Sequence, residues 1–246
     1  MSIPVYCINL DRSADRWKRM SDAAARFDID LRRIAAVDGA AIDPRQRIAG
    51  EVRFTRQNGR PMLPGEYGCY RSHLLALETV ATGDAEAAVI IEDDVELNDQ
   101  LPARAAAIHA ALPGAGVVKL LNHRARGFIR KATAAPGGVD IGRCLHGPQG
   151  SAACYLVTRS GARRLLGAID VMTMPFDIAL ERGWQTGVPT YTVRRNLIEL
   201  GPMKVQTEIA SVADYAAVKR RGFAKLPAHL FRLADYASRI AYALHG

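Results

Sequence analysis

The chain has 246 residues, 33 Lys and Arg against 25 Asp and Glu for a formal charge of +8, and 49% apolar residues. That length suits one α/β domain with additions or two small domains, and the apolar share supports a sizeable core and excludes a largely disordered chain. The positive balance suits anionic partners such as nucleic acid, anionic lipid or phosphorylated substrates, and no run of about 18 apolar residues offers a transmembrane helix.

Pro4 to Leu10 is a short apolar run rich in β-formers and reads as a buried first strand. Ser13 is placed to cap the helix that follows, on which Trp17, Met20, Ala24 and Phe27 recur at helical spacing. A second strand is expected over Arg33 to Val37, closed by Asp38-Gly39. This β-α-β start opens a sheet edge at Asn9-Leu10 and Val37-Asp38, and ligands of such sheets gather at the carboxyl ends of strands. Residues 43 to 64 are polar, carry Pro and Gly, and read as an irregular excursion. Gly65 then opens GEYGCYRSHLLALETVA, a helix with Tyr70, Leu74 and Leu77 on one face. Ala87 to Ile91 is a compact apolar strand that ends abruptly in Glu92-Asp93-Asp94. Val117 to Leu121 is a further strand, and residues 122 to 150, basic and glycine-bearing, read as a mobile loop region. Ala152 to Val157 is another strand, Ser160 is placed to cap a short helix with Ala162, Leu165 and Leu166, and Pro189 to Val193 is a last short strand. Alternating strand and helix signals predict an α/β fold with a mainly parallel sheet.

From residue 212 onward the composition changes. Lys219, Arg220, Arg221, Lys225, Arg232 and Arg239 face few acids, and Pro227 suits the first turn of a helix. Leu226, Leu230, Leu233, Ala237, Ile240 and Leu244 form one apolar stripe, the pattern of a single helix face. Residues 1–211 are therefore expected to form the main domain and 212–246 a basic amphipathic extension. Its stripe could rest on an anionic membrane, pack on the domain, or pair two copies as a homodimer.

Four cysteines, Cys7, Cys69, Cys144 and Cys154, show no C-x-x-C spacing, so a zinc site is not expected. Cys7 and Cys154 lie in apolar runs as reduced core residues, and the start MSIPVYCINL lacks the basic region and long apolar stretch of a secretory leader. Both features predict a cytoplasmic protein.

The sharpest chemical signal is Glu92-Asp93-Asp94. Three carboxylates at the end of a doubly buried strand repel one another and lose hydration, which a divalent cation among them would relieve; hard oxygen ligands select Mg²⁺ or Mn²⁺. On residues alone a solvated acidic turn explains the cluster equally well. There is no G-x-G-x-x-G after a strand, Walker loop, H-E-x-x-H or G-x-S-x-G.

YCINLDRSADR, AAVDG, GEYGCYRSH and VIIEDDV, in that order, followed by SAACYLVTRSGARRLL and MPFDIAL, resemble glycosyltransferase family 25, which includes bacterial lipopolysaccharide glycosyltransferases and relatives of collagen galactosyltransferases. The blocks span roughly residues 3 to 180. The resemblance implies a GT-A fold, a UDP-sugar donor with galactose or glucose, a glycan or glycolipid acceptor, inversion at the anomeric carbon and Mn²⁺ or Mg²⁺ as cofactor. It departs from the pattern at Pro175-Phe176-Asp177, where the family often has Pro-Val-Asp. Residues 40 to 64 and 122 to 150 match nothing in it.

With that resemblance, roles can be assigned. The turn of Asn9, Leu10, Arg12 and Arg16 is expected at the nucleotide, where an arginine fork suits diphosphate. Asp38 could accept from uracil or ribose, or simply close a turn before Gly39. Gly65 and Glu66 open a helix whose N-terminus favours anions, and Ser72 and His73 lie on the donor side. Asp94 is expected to contact the metal directly, with Glu92 beside it or on ribose and Asp93 on the donor. Asp177 is the expected general base, unless it only caps a helix. The competing reading is a divalent-metal nuclease or nucleic-acid-binding protein. The scattered bases without interleaved aromatics argue against a nucleic-acid partner.

Overall fold

The computed structural model describes residues 3–201 and 225–245. In chain order these contain β1 (Val5–Asn9), α1 (Ala14–Arg26), β2 (Leu31–Ala35), α2 (Ile48–Asn58), α3 (Pro64–Thr82), β3 (Ala87–Glu92), β4 (Val95–Glu96), α4 (Leu101–Ala111) and β5 (Val117–Lys119). There follow β6 (Arg126–Ala134), β7 (Val139–His146), β8 (Cys154–Thr158), α5 (Arg159–Ala168), α6 (Phe176–Leu180), α7 (Gly183–Thr186), β9 (Thr190–Val193), β10 (Glu199–Leu200) and α8 (Leu226–His245). Eight strands form one sheet in the order β2-β1-β3-β8-β5-β9-β7-β6. β2, β1, β3, β5, β9 and β6 run one way, and β8 and β7 run against them. The α/β fold with a mainly parallel sheet thus stands as the alternating signals predicted.

Period-two alternation sorts the central strands between two cores. Val5, Cys7, Val89 and Ile91 pack with Met20 and Ala24 of α1 and Leu101, Ala105 and Ile108 of α4. Tyr6, Ile8, Ala88 and Ile90 pack on the other face with Tyr70, Leu74 and Leu77 of α3 and Ala162 and Leu165 of α5. A strand buried on both faces has no polar side, which is why β3 reads as the unbroken run AAVII.

Five expectations need correction. Residues 43 to 64 are mostly helical. The Asp43 carboxylate accepts from the Arg45 amide at 2.9 Å to start a short 3₁₀ turn, α2 follows with Phe54 fully buried, and Gly59 ends it at φ 71°. The exposed Ile48 and Val52 had disguised its helical pattern. Residues 122 to 150 are not a loop but contain the β6–β7 hairpin, turning at Gly137 (φ 106°) and Gly138 (φ 61°). All but the last residue of β6 are exposed or half-exposed, so its alternation carries little polarity contrast. Thr158, not Ser160, caps α5, its hydroxyl accepting from the Gly161 amide at 3.0 Å. Ser13 holds the N-cap position of α1 through its carbonyl, which accepts from Trp17 at 3.1 Å, and its hydroxyl makes no capping bond. The second strand begins two residues earlier than expected.

The C-terminal helix α8 packs on the domain, but not through its apolar stripe. Its seat is polar. Glu181, almost wholly buried, accepts from Lys119 Nζ at 3.0 Å and Arg239 Nη1 at 2.7 Å, and from the amides of Gln149 and Gly150. Burial alone would push the Glu181 carboxyl up; Lys119, then Arg239 and the amide bonds overcome it and hold the group below its ordinary range. Arg182 pairs with Asp235 at 2.7 Å, and the Arg143 guanidinium lies 3.8 Å from the Tyr242 ring centre. Residues 212–224, with Lys219, Arg220 and Arg221, lie outside the described residues. No helix among the described residues is long and apolar enough to cross a membrane.

Replacing Glu181 with Ala strands two buried cations, so we expect a loss of about 3–5 kcal/mol in chemical denaturation. An unchanged midpoint would show that the network does not hold α8.

Candidate active site

The acidic turn lies where parallel pairing puts it. Ile8 of β1 is in register with Glu92 of β3, so Asn9 and the turn after β3 emerge side by side at the strands' carboxyl ends. Asn9 is 1% exposed, and every polar atom of its amide is used. Its Nδ2 donates to Asp93 Oδ2 at 2.7 Å and to the Ser13 carbonyl at 3.1 Å, while its Oδ1 accepts from Arg33 Nε at 2.8 Å. Arg16 donates to Asp93 Oδ1 at 3.1 Å, and Arg19 to the Asp93 carbonyl at 2.7 Å. Both oxygens of the middle acid are thus engaged inside the protein.

Its neighbours differ. Glu92 Oε1 meets His73 Nε2 at 3.2 Å. Asp94 is left with a buried Oδ1 that has no hydrogen-bond partner among the described residues. Burial first, then the charges of Glu92 and Asp93, push the Asp94 carboxyl up to about 6, with Arg16 opposing. β10 pairs antiparallel with β4 directly after the turn, and Gly201 N donates to the Asp94 carbonyl at 2.6 Å.

The second wall is the start of α3. Gly39 and Gly68 bring two backbones into contact: a Cβ on Gly68 would lie 2.5 Å from Gly39 N, and one on Gly39 1.8 Å from the Pro64 carbonyl oxygen. Ser72 bridges the same junction, donating to the Gly68 carbonyl at 2.7 Å and accepting from the Val37 amide at 2.8 Å. Asp38 therefore sits at the lip of the cleft, where it pairs with Arg12, both side chains being substantially exposed. Leu10 lies in the same turn, its carbonyl accepting from the Ser13 amide. Gly65 is the second residue of α3. Glu66 is 6% exposed and holds Arg60 in a two-pronged pair at 2.7 and 2.5 Å while accepting from the Leu63 amide at 3.1 Å, which makes it a helix-start brace.

His73 joins the two walls to Asp177. It is fully buried, with Nδ1 3.2 Å from the Tyr155 hydroxyl, and its ring stacks on Phe176 at 4.1 Å and 4°. The neighbouring Asp177 is the second residue of α6, not its cap, which is Pro175. Burial pushes the Asp177 carboxyl up against the opposing charge of Lys119. The Cys69 thiol, one turn before His73, is raised well above its ordinary value by burial, then by Glu92 and Asp177. Cys69, His73 and Glu92 place their ligand atoms within 4.8 Å of one another.

A hard divalent cation fits at Asp94. The unpartnered buried oxygen and the mutual repulsion of Glu92 and Asp94 are what such an ion relieves. Asp93 has no free oxygen for it. The protonated Cys69 suits it poorly, and His73 can satisfy both ring nitrogens through Glu92 and Tyr155.

The structure brings Asn9, Leu10, Arg12, Arg16, Asp38, Ser72, His73, Glu92, Asp93 and Asp94 to one end of the sheet, with Asp177 linked through Phe176 and His73. It gives Glu66 a brace and Asn9 an internal clamp. Sequence reasoning passed over Tyr155, Phe176, Arg19, Lys119 and Glu181. Lys119 did carry a signal, a lysine inside the apolar run VVKLL, which calls for a buried partner. Phe176 had one too, at the point where the resemblance breaks.

The fold is an α/β domain whose acidic turn stands at the carboxyl end of a central strand, where ligands of such sheets gather. The chain belongs to glycosyltransferase family 25: the family model described as "Glycosyltransferase family 25 (LPS biosynthesis protein)" matches residues 2–180. It is 32% identical to procollagen galactosyltransferase 2 of Mus musculus over 101 residues, 39% of this chain and 16% of that protein. A glycosyltransferase 25 family member of Aedes aegypti is 30% identical over 110 residues, 42% and 18% of the two chains. A probable inactive family member 3 of Bos taurus is 31% identical over 105 residues, 41% and 18%. The chain thus spans under a fifth of the length of these relatives. A crystal structure of the galactosyltransferase LgtC with donor and acceptor sugar analogues aligns over 77% of this chain and 73% of its own at 15% identity and TM-score 0.41, too distant a likeness to carry residue roles.

Because the Asp94 carboxyl is raised when folded, the folded state favours its protonated form, and this costs stability as pH rises from about 4 through about 6. Asp94→Asn should therefore stabilise the metal-free protein by about 1–3 kcal/mol at pH 7, with the gain vanishing below about pH 4. Thermal melts across pH check this; equal destabilisation at every pH would contradict it.

Proposed function

We propose that this chain is a cation-dependent inverting hexosyltransferase that moves galactose or glucose from a UDP-sugar to a glycan acceptor, in lipopolysaccharide or other surface-polysaccharide synthesis. The observation that carries the reading is the unpartnered Asp94 oxygen at the end of β3, inside a chain of family 25. Sequence likeness to proteins named procollagen galactosyltransferase makes UDP-galactose the first donor to test.

Asp94, with Glu92, would hold Mn²⁺ or Mg²⁺, which when bound neutralises the departing diphosphate. The chain's own residues account for the rest. Asp93 takes the positive charge of Arg16 and fixes the turn, so Asp94 stays aimed without occupying its own oxygens. Arg12 and Asp38 at the lip offer one donor and one acceptor to the nucleotide, and exchanging their surface ion pair for substrate contacts costs little. His73 orients Glu92 from a ring locked between Tyr155 and Phe176. Asp177, its carboxyl raised by burial, is the group to take the acceptor hydroxyl proton as the new bond forms on the face opposite the leaving UDP.

Release of UDP from UDP-galactose or UDP-glucose, followed with Mn²⁺ and with chelator, tests the reading. We expect cation-dependent release, and Asp177→Asn should lower transfer by roughly 10²–10⁴-fold while leaving UDP affinity nearly unchanged. Release that is indifferent to chelator, or cation-dependent cleavage of nucleic acid instead, would overturn it.

A further inference from the structure

Cys69, His73 and Glu92 form the only trio of Cys, His, Asp and Glu side chains among the described residues whose ligand atoms all lie within 4.8 Å of one another. Cys69 and His73 stand four positions apart on α3, so both project from one face of that helix, and Glu92 is the last residue of β3. A search for C-x-x-C spacing misses such a set, because two ligands are a helical turn apart and the third comes from a neighbouring strand.

The trio is held ready for an ion. The ligand atoms of a tetrahedral zinc, at bond lengths of about 2.0–2.3 Å, stand roughly 3.3–3.6 Å from one another. His73 Nε2 and Glu92 Oε1 already lie 3.2 Å apart, and the whole set closes on an ion with a shift of little more than about 1 Å. The His73 ring is fully buried and stacked flat on Phe176, which holds its orientation. Its Nδ1 faces the Tyr155 hydroxyl at 3.2 Å, so a cation on Nε2 leaves the proton on Nδ1 to be donated to Tyr155; such an outer partner fixes the tautomer of a ligating histidine. The Glu92 side chain is 24% exposed and opens the trio to the cleft, which gives an ion its entry and leaves a fourth position for water.

Donor chemistry chooses the ion. Sulfur and imidazole nitrogen select zinc, whereas Mg²⁺ and Mn²⁺ prefer the oxygens offered by the acidic turn. The surrounding charge agrees. After burial, the groups that raise the Cys69 thiol are four carboxylates, Glu92, Asp177, Glu66 and Asp94. A field that opposes a bare thiolate attracts a dication, and the dication in turn stabilises the thiolate.

We propose that Cys69, His73 and Glu92 are a zinc site, separate from the hard-cation site at Asp94 and sharing only Glu92 with it. On binding, the thiol proton passes to solvent, and Sγ, Nε2 and a Glu92 carboxylate oxygen become the three protein ligands. In the proposed transferase, on which this consequence rests, zinc held here takes Glu92 from the Asp94 cation and so inhibits transfer.

Cobalt(II), which replaces zinc and reports its ligands by absorption, tests the site on the full chain in excess Mg²⁺. Stoichiometric Co²⁺ should give a sulfur-to-cobalt charge-transfer band that Zn²⁺ abolishes and further Mg²⁺ does not. Cys69→Ser should lose the band and weaken Zn²⁺ binding by at least the roughly 10–100-fold that loss of an outer-shell partner costs. Glu92→Gln, at a partly exposed position, should keep the band and weaken Zn²⁺ binding by a similar factor, and Asp94→Asn should change neither. Melting temperatures identify the variants that are folded. No charge-transfer band in wild type, a band that survives Cys69→Ser, unchanged Zn²⁺ affinity in Glu92→Gln, or loss of the band in folded Asp94→Asn would each overturn the proposal. Absorption reads the metal directly, so its outcome is separate from whether the chain transfers sugar.

Discussion

Asn9 and Arg16 grip the carboxylate of Asp93, one on each oxygen, and this clamp is what allows three acids to stand together at the end of a strand buried on both faces. Without it the turn after β3 would carry three uncompensated charges in a desolvated place, and the parallel register of β1 with β3 would bring polar Asn9 there with nothing to bond. Compensating only the middle acid divides the labour. One carboxylate anchors the turn, and the flanking two keep chemistry to do. Glu92 is oriented by His73. Of the three, Asp94 has the buried oxygen without a hydrogen-bond partner among the described residues, and burial, then Glu92 and Asp93, push its carboxyl up to about 6.

The rest of the cleft extends that anchor by close packing. Gly39 against Gly68 lets the β2 exit touch the first turns of α3, and Ser72 ties the contact. One turn on, α3 delivers His73 between Tyr155 and Phe176, so β8, α3 and α6 converge on one buried ring. Phe176, just before Asp177, covers one face of that ring. Beyond α6, the Glu181 network carries the same segment to α8.

The central strands and the acidic turn were legible in the sequence because burial on both faces leaves an unbroken apolar run and a sharp polar end. The β6–β7 hairpin and α2 were not. An edge strand exposed or half-exposed nearly throughout has no inner and outer face to alternate, and a helix with Ile48 and Val52 pointing at solvent breaks the stripe that marks a helix. Among candidate site residues, the order of blocks pointed to Asn9, Asp38, His73, Glu92 and Asp177. It could not say that Asn9 spends its amide inside the protein, since a hydrogen-bond partner 84 positions away, Asp93, leaves no local trace. The apolar stripe of α8 was legible as a helix face, but its side was not: a sequence stripe is silent about whether core or solvent receives it.

The division of labour within Glu92-Asp93-Asp94 is the claim on which the account rests, and Mn²⁺ binding followed by electron paramagnetic resonance in two single variants tests it. Asp94→Asn should abolish the bound Mn²⁺ signal in a fully folded protein. Asp93→Asn should lower the melting temperature, because Arg16 loses its counter-charge, and yet still bind Mn²⁺. Retention of the signal in Asp94→Asn, or its loss in a folded Asp93→Asn, would contradict the account.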